Sequence, residues 1–330
     1  MLSSTVHQVV QRSYSVQKSV IRDVMVVGSG LMGTGIAQVV AAAGMNVSLV
    51  DRSTKMVDDA KSHMEKSLTK HAQKQFPDEK DKQKTFVEET LSRVRAYNDP
   101  CIPAGQADLV IEAIVEHLPS KKDLFHKIDK VAANHTIFTT NTSSLSVGAM
   151  AEATERKDRF GGLHFFSPVP VMKLVEVVRI DQTSDDTLES LMSFVKAINK
   201  VPIKCKDTRG FIVNRLLIPY TMEAIRMLER GDAAAKDIDT AMKLGAGYKV
   251  GPIELTDLTG IDLAKHIGDA WSRDHPNDPV FKPILLIDKM VAEGRIGKKS
   301  GKGFYEYADA LRGDERQAIA TQQAEEKAHA

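Results

Sequence analysis

A histidine and a glutamate are joined by a proline-rich turn in the run Leu163-His164-Phe165-Phe166-Ser167-Pro168-Val169-Pro170-Val171-Met172-Lys173-Leu174-Val175-Glu176-Val177-Val178. An imidazole oriented by a carboxylate is a general-base assembly, because the acid steadies the imidazolium that forms when the ring takes a proton. Glu176 sits among aliphatic residues, where an unpaired carboxylate is costly and needs a partner. Apolar runs on both sides of the turn predict a strand folded back on a strand, which would let the two meet. The same pairing would also satisfy an ordinary core histidine, so residues elsewhere must decide between catalysis and packing.

A second constellation lies near the N-terminus. Val24-Met25-Val26-Val27 reads as a buried strand and runs straight into Gly28-Ser29-Gly30-Leu31-Met32-Gly33. An apolar helical pattern follows through Ile36, Ala37, Val40 and Ala41 to Gly44, and a second strand, Val47-Ser48-Leu49-Val50, ends in Asp51. In a dinucleotide site the first glycine permits the tight turn, the second lets the backbone approach a pyrophosphate, and the third allows close helix–strand packing. The helix start offers N–H groups to phosphate. Asp51 is placed to accept ribose hydroxyls and to repel a 2′-phosphate, which favours NAD over NADP despite Arg52 beside it. A lone glycine triplet is weak evidence, but strand, turn, helix, strand and acid in register are not.

The elements that must position these groups alternate. A charged helix is predicted from Thr54 to about Gln75, with Lys66, Lys70 and Lys74 on one stripe and Ser67, His71 and Lys74 along an adjacent face; such a stripe is solvated surface or a seat for a phosphorylated substrate. Pro77 to Lys84 reads as a turn, followed by a helix from about Lys84 to Leu91. Strands are expected at Val94–Tyr97 and Asp108–Ile114, with Glu116 and His117 at the carboxyl end of the latter, where ligands of open α/β sheets collect. Ser120 is placed to cap a helix containing Lys121, Leu124, Ile128 and Val131. A strand over Thr136–Thr140 leads to Asn141-Thr142-Ser143-Ser144, a turn that would either cap a short helix near Leu145 or hold a substrate oxygen beside His164. The alternation predicts a mostly parallel doubly wound sheet from about Arg22 to Lys206. Beyond Lys206-Asp207-Thr208-Arg209-Gly210 the pattern is wholly helical, with stops at Gly231, Gly245 and Gly260 and Pro252 at a helix start.

Composition narrows the classes. Lys and Arg number 45 against 44 Asp and Glu, a net charge of +1 that argues against a general nucleic-acid or membrane-surface binder. No apolar run is long enough to span a bilayer. Cys101 and Cys205 are too few for a disulfide framework or a cysteine-based zinc site, and no metal is expected. Residues 1–20 carry Arg12, Lys18, serines and valines without an acid, the composition of a mitochondrial presequence, with a cleavage context near Tyr14 and Ser15. Residues 309–330 are polar without a periodic apolar face.

Taken with Gly210-Phe211-Ile212-Val213-Asn214-Arg215, Ala241-Met242-Lys243-Leu244-Gly245-Ala246-Gly247 and Gly301-Lys302-Gly303-Phe304-Tyr305, these features resemble the short-chain L-3-hydroxyacyl-CoA dehydrogenases, mitochondrial enzymes of fatty-acid β-oxidation, over about Asp23 to Tyr307. The resemblance implies a Rossmann-like NAD-binding domain over 21–206, a helical domain over 207–308 that forms the substrate cleft and a homodimer, and a location in the mitochondrial matrix. It implies that His164 is the catalytic base and Glu176 its partner, with Ser143 and Asn214 at the reacting oxygen and the histidine. Gly28, Gly30, Leu31, Met32, Gly33, Asp51, Glu116, Lys121 and Ser143 would contact NAD, and Ser67 and Lys74 the coenzyme A moiety. Two departures stand out: Ser167 where relatives often have Asn, and Ser29 where they often have Gly. The rivals are an enzyme of similar fold acting on a free β-hydroxy acid, which would rely on a lysine, and a catalytically silent NAD-binding protein.

Overall fold

Strands made of unbroken aliphatic residues need cover on both faces, and the first two-thirds of the chain supply it by alternating them with amphipathic helices. The computed structural model describes residues 21–307, so the presequence reading and the polar tail lie outside the described residues. The elements run β1 (Asp23–Val27), α1 (Leu31–Ala42), β2 (Asn46–Val50), α2 (Thr54–Gln75), α3 (Lys80–Ser92), β3 (Val94–Tyr97), α4 (Cys101–Ala104), β4 (Leu109–Glu112), α5 (Leu118–Asp129), β5 (Ile137–Thr140), α6 (Val147–Ala151), β6 (Phe160–Phe165), β7 (Leu174–Arg179), α7 (Asp185–Ala197) and β8 (Val201–Lys206). Five helices follow: α8 (Val213–Arg230), α9 (Ala235–Gly245), α10 (Pro252–Thr259), α11 (Ile261–Asp274) and α12 (Leu285–Ala292). The chain divides into two units, one running to Ile212 and the other starting at Val213.

The first unit is an eight-stranded sheet in the order β3-β2-β1-β4-β5-β6-β7-β8. Every pairing is parallel except β6 with β7. The chain moves outward from β1 to β2 and β3, then returns to lay β4 on the other side of β1. That reversal opens a crevice at the carboxyl ends of β1 and β4. Side chains alternate across β1: Val24 and Val26 pack with Ile36 and Leu49 on one face, Met25 and Val27 with Phe125, Phe138 and Phe160 on the other. The second unit gathers Ile253, Ile261, Trp271, Phe281 and Met290. Its C-terminal strap is tied inward where Asp257 accepts from the N–H groups of Phe304 and Tyr305, both at 2.9 Å.

Three helix starts differ from the sequence expectations. The second charged helix begins at Lys80 rather than about Lys84. Its first residues, Lys80 to Thr85, have no apolar face to mark them, yet Lys and Gln favour helix; the turn itself is confined to Phe76–Glu79, with Asp78 left-handed at φ 66°. α5 starts at Leu118 behind His117, with Pro119 in the first turn, so Ser120 is not the cap. Ser120 Oγ instead hydrogen-bonds His117 Nδ1 at 2.8 Å. The short helix near Leu145 starts at Val147, and Ser146 caps it by accepting from the Ala149 N–H.

Candidate active site

Antiparallel pairing puts His164 of β6 directly opposite Glu176 of β7. His164 Nδ1 lies 2.7 Å from Glu176 Oε2. Both are buried, at 5% and 0% exposure. A carboxylate only accepts, so Nδ1 carries a hydrogen, and in the neutral ring Nε2 then holds the lone pair. The other glutamate oxygen, Oε1, accepts the Ile212 N–H at 3.0 Å. That donor is delivered by consecutive left-handed residues, Gly210 at φ 79° and Phe211 at φ 50°. For an aromatic residue this backbone is strained and is held only by its surroundings. The Phe211 ring is buried with its centroid 5.4 Å from the imidazole, and Phe166 stands at 4.5 Å. Below the dyad, Asn141 Oδ1 accepts the Phe165 N–H at 2.9 Å. The turn beyond it is clamped by buried Lys200, whose Nζ donates to the carbonyls of Val169 and Met172 at 2.6 Å each. Burial holds that ammonium below the usual lysine range.

At the crevice between β1 and β4, Gly28 has φ 103° and lies so close to the neighbouring chain that a Cβ there would stand 2.4 Å from the Ala113 carbonyl. A Cβ on Gly33 would be 1.8 Å from the Gly28 carbonyl, so helix and turn can pack this closely only without side chains. Gly30 is the opposite: a Cβ would meet nothing within 4 Å, which leaves open space before the helix start. No side chain caps α1, so the N–H groups of its first turn face that space. Leu31 is exposed beside it and Met32 half-buried. Asp51 closes the cradle. Its Oδ2 accepts from Ser29 N and Oγ, both at 2.6 Å, and its Oδ1 from Arg52 N at 2.7 Å. Oδ1 keeps acceptor capacity for a ribose hydroxyl. Open space, uncapped donors and a terminal acid fit a dinucleotide.

Between cradle and dyad lies a chain of charges. Lys121 is 1% exposed, and its Nζ reaches Glu112 Oε1 at 2.7 Å and Glu116 Oε2 at 2.9 Å. Glu116 Oε1 accepts from the hydroxyl of Thr142, from Ser144 Oγ at 3.0 Å and from the Ser143 N–H at 3.3 Å. Burial works to raise Glu116, but the Lys121 charge and the Thr142 and Ser144 hydroxyls outweigh it and hold its carboxyl below the usual range. Glu112, completely buried, is pushed up by desolvation in spite of Lys121.

The structure thus joins Glu116, Lys121 and Ser143 in one network, pairs His164 with Glu176, and gathers the glycines with Asp51. Ser67 is half-buried and Lys74 exposed on the outer side of α2, whose inner side buries Val57, Met64, Leu68 and Ala72. Asn214 stands in the first turn of α8, in the other unit. Asn141 and Thr142 belong to the turn that the sequence singles out, whereas Glu112, Thr140, Phe211 and Lys200, which the structure joins to the same groups, are not marked there as candidates. Glu112 did carry a signal, an acid closing the aliphatic run Leu109-Val110-Ile111, the same kind of pattern that singled out Glu176. Among the described residues, no group of His, Cys, Asp and Glu could hold a metal ion, and no helix is long and apolar enough to cross a membrane.

A phosphate cradle at the switch point of a doubly wound sheet, with a carboxylate-held histidine on the same sheet edge, defines an NAD-linked dehydrogenase of the α/β class. Residues 23–208 match the NAD-binding domain of 3-hydroxyacyl-CoA dehydrogenase and residues 210–307 match its C-terminal domain. The chain belongs to the 3-hydroxyacyl-CoA dehydrogenase family. It is 53% identical over 295 residues to the mitochondrial hydroxyacyl-coenzyme A dehydrogenase of Homo sapiens, covering 89% of this chain and 94% of that one. To the probable 3-hydroxybutyryl-CoA dehydrogenase of Bacillus subtilis it is 37% identical, covering 88% and 98%. The crystal structure of (S)-3-hydroxybutyryl-CoA dehydrogenase from Ralstonia eutropha is similar at TM-score 0.82 and 37% identity, over 88% of this chain and all of that one.

Proposed function

We propose that His164 and Glu176 handle the proton in the reaction of this family, the reversible NAD-dependent oxidation of a 3-hydroxyacyl-CoA to a 3-ketoacyl-CoA. The observation that carries the reading is the 2.7 Å register pair at the carboxyl edge of β6. Glu176 fixes Nδ1 as donor, which leaves Nε2 to take the hydroxyl proton as the alcohol is oxidised. Glu176 then offsets the charge of the imidazolium, while the Ile212 N–H keeps the carboxylate from turning away. In the reverse direction Nε2 returns that proton to the forming alkoxide. Gly28, Gly30, Leu31, Met32, Gly33 and Asp51 would hold NAD, with Glu116 and Lys121 toward its nicotinamide half, and when bound it would supply the acceptor for hydride. Ser143 and Asn214 orient the substrate oxygen, since hydride transfer depends on alignment. Ser67 and Lys74 receive the coenzyme A moiety, and the helical unit mediates a homodimer. Mitochondrial relatives support a mitochondrial location, and we assign it to the matrix on the acid-poor N-terminal twenty residues.

The test is NADH consumption with acetoacetyl-CoA, run beside free acetoacetate and beside NADPH. Turnover confined to thioester and NADH is expected. Turnover of the free acid alone would move the chain to the β-hydroxyacid enzymes, and NADH binding without turnover of either would make it catalytically silent.

A further inference from the structure

Among the groups that the proton chemistry does not use, Glu112 is the most deeply committed. It ends β4 at 0% exposure. All its described partners are donors: the Ile114 N–H at 2.7 Å and the Lys121 ammonium at 2.7 Å on Oε1, and the Thr140 hydroxyl at 2.6 Å on Oε2. Burial pushes this carboxyl toward its neutral form, but three donors and no acceptor, one of them an ammonium at 2.7 Å, are the surroundings of an ionised carboxylate. Lys121 bridges it to Glu116, whose side chain is 38% exposed at the rim. Three charges in a row, negative, positive, negative, leave one net negative charge, and the only member open to the crevice is Glu116.

We propose that Glu112 is a positioning residue that sets the charge of this edge: by occupying one side of the Lys121 ammonium it leaves Glu116 effectively anionic, and the site thereby favours the oxidised, cationic nicotinamide over the reduced, neutral one. Without Glu112 the whole lysine charge would fall on Glu116 and the edge would be neutral. A ligand can shift an equilibrium only through its differential interaction with two states, and here the difference between NAD and NADH at the ring is one unit of charge. The inference rests on Glu116 and Lys121 facing the nicotinamide half, as proposed above.

The test is fluorescence and calorimetric titration of NADH and NAD separately, with no substrate present, on four variants whose folding is followed by Tm. In Glu112→Gln the amide oxygen still accepts from Lys121, and NAD affinity should fall on the order of 5- to 10-fold more than NADH affinity, the scale of one charge acting through partly buried surroundings. Lys121→Met leaves Glu116 anionic even as buried Glu112, now without its cation, takes up a proton, so the ratio should stay at or above that of the parent, and this variant keeps the proposal testable if Glu112→Gln folds poorly. The double variant Glu112→Gln/Lys121→Met restores a net charge of minus one and should return the ratio toward that of the parent. A purely structural Glu112 would weaken both cofactor forms equally, and the double variant would then be worse than either single one; that result overturns the proposal. Glu116→Gln separates the two readings. If it changes the NAD-to-NADH ratio and Glu112→Gln does not, the nicotinamide placement stands and the charge-setting role fails. If Glu116→Gln leaves the ratio untouched, both fail together.

Discussion

At the scale of single residues, the site works because each polar group is told which way to face by something it cannot avoid. The imidazole of His164 has its Nδ1 committed to Glu176, and Glu176 has its second oxygen committed to the Ile212 N–H. Removing the base should therefore be felt in chemistry and not in cofactor binding. His164→Gln is expected to lower kcat on the order of 10²- to 10⁴-fold, the usual contribution of a general base, with the NADH Kd within about twofold of the parent. A comparable loss in NADH binding would show that His164 is a packing residue. Asp51 makes a separate statement about the cofactor. On the proposed cofactor placement a 2′-phosphate would arrive beside it, so Asp51→Ser should raise NADPH use relative to NADH by about tenfold or more, read as the ratio of kcat/KM values. An unchanged ratio would mean that Arg52, not Asp51, governs the choice.

Elements decide how much of this could be foreseen. Parallel strands buried on both faces announce themselves as Val24–Val27 and Leu109–Ile111, and the glycine turn between β1 and α1 has few other readings. The hairpin that holds the dyad was legible for the same reason, a polar residue on each of two apolar runs. What stayed hidden is contact between strands far apart in the chain. Nothing near Thr140 says that its hydroxyl reaches Glu112, and nothing near Lys200 says that its ammonium will fasten the carbonyls of Val169 and Met172. Phe211 hid behind its glycine neighbour, because a left-handed aromatic residue is not what a sequence pattern offers. The Lys200 clamp leads to an expectation about stability. Lys200→Met leaves two carbonyls without their donor and should cost about 2 kcal/mol, lowering Tm by roughly 4–8 °C. A variant as stable as the parent would mean that water replaces the ammonium at no cost. For α2, exposed Lys74 makes a different forecast: Lys74→Ala should raise the KM for acetoacetyl-CoA about 3- to 10-fold, less so at high salt, with NADH binding unaffected. Equal losses for both ligands would remove the stripe from the coenzyme A site.

For the whole molecule, groups held away from their ordinary titration ranges shape the response to acid and to alkylating reagents. Glu116 is held below the free value of 4.5, so its contribution to stability is present above that value and is lost as pH falls through the lower folded one. Glu116→Gln should therefore flatten the acid limb of the Tm–pH curve, by an amount on the order of a few degrees; a limb as steep as the parent's would assign acid loss to other carboxylates. Cys205 is pushed up to about 12, chiefly by burial and then by Glu176 and Asp207 nearby. Its thiol should resist iodoacetamide at neutral pH until the protein unfolds, a point that mass spectrometry of the native protein settles. The pairing of β6 with β7 has a last consequence, one that concerns time. His164 meets Glu176 across a separation of 12 residues, whereas Ser29 meets Asp51 across 22 and Thr140 meets Glu112 across 28. Loop length alone separates these by less than about 1 kcal/mol. The larger difference is that an antiparallel neighbour needs only a turn, while β1–β2 and β4–β5 each wait for a crossover helix to fold and dock. Pulse-labelled hydrogen exchange during refolding should find the amides of β6 and β7 protected before those that join β1 to β4, and the reverse order would refute this. On that path, the half of the site proposed to move a proton would be in place before the half proposed to seat the cofactor.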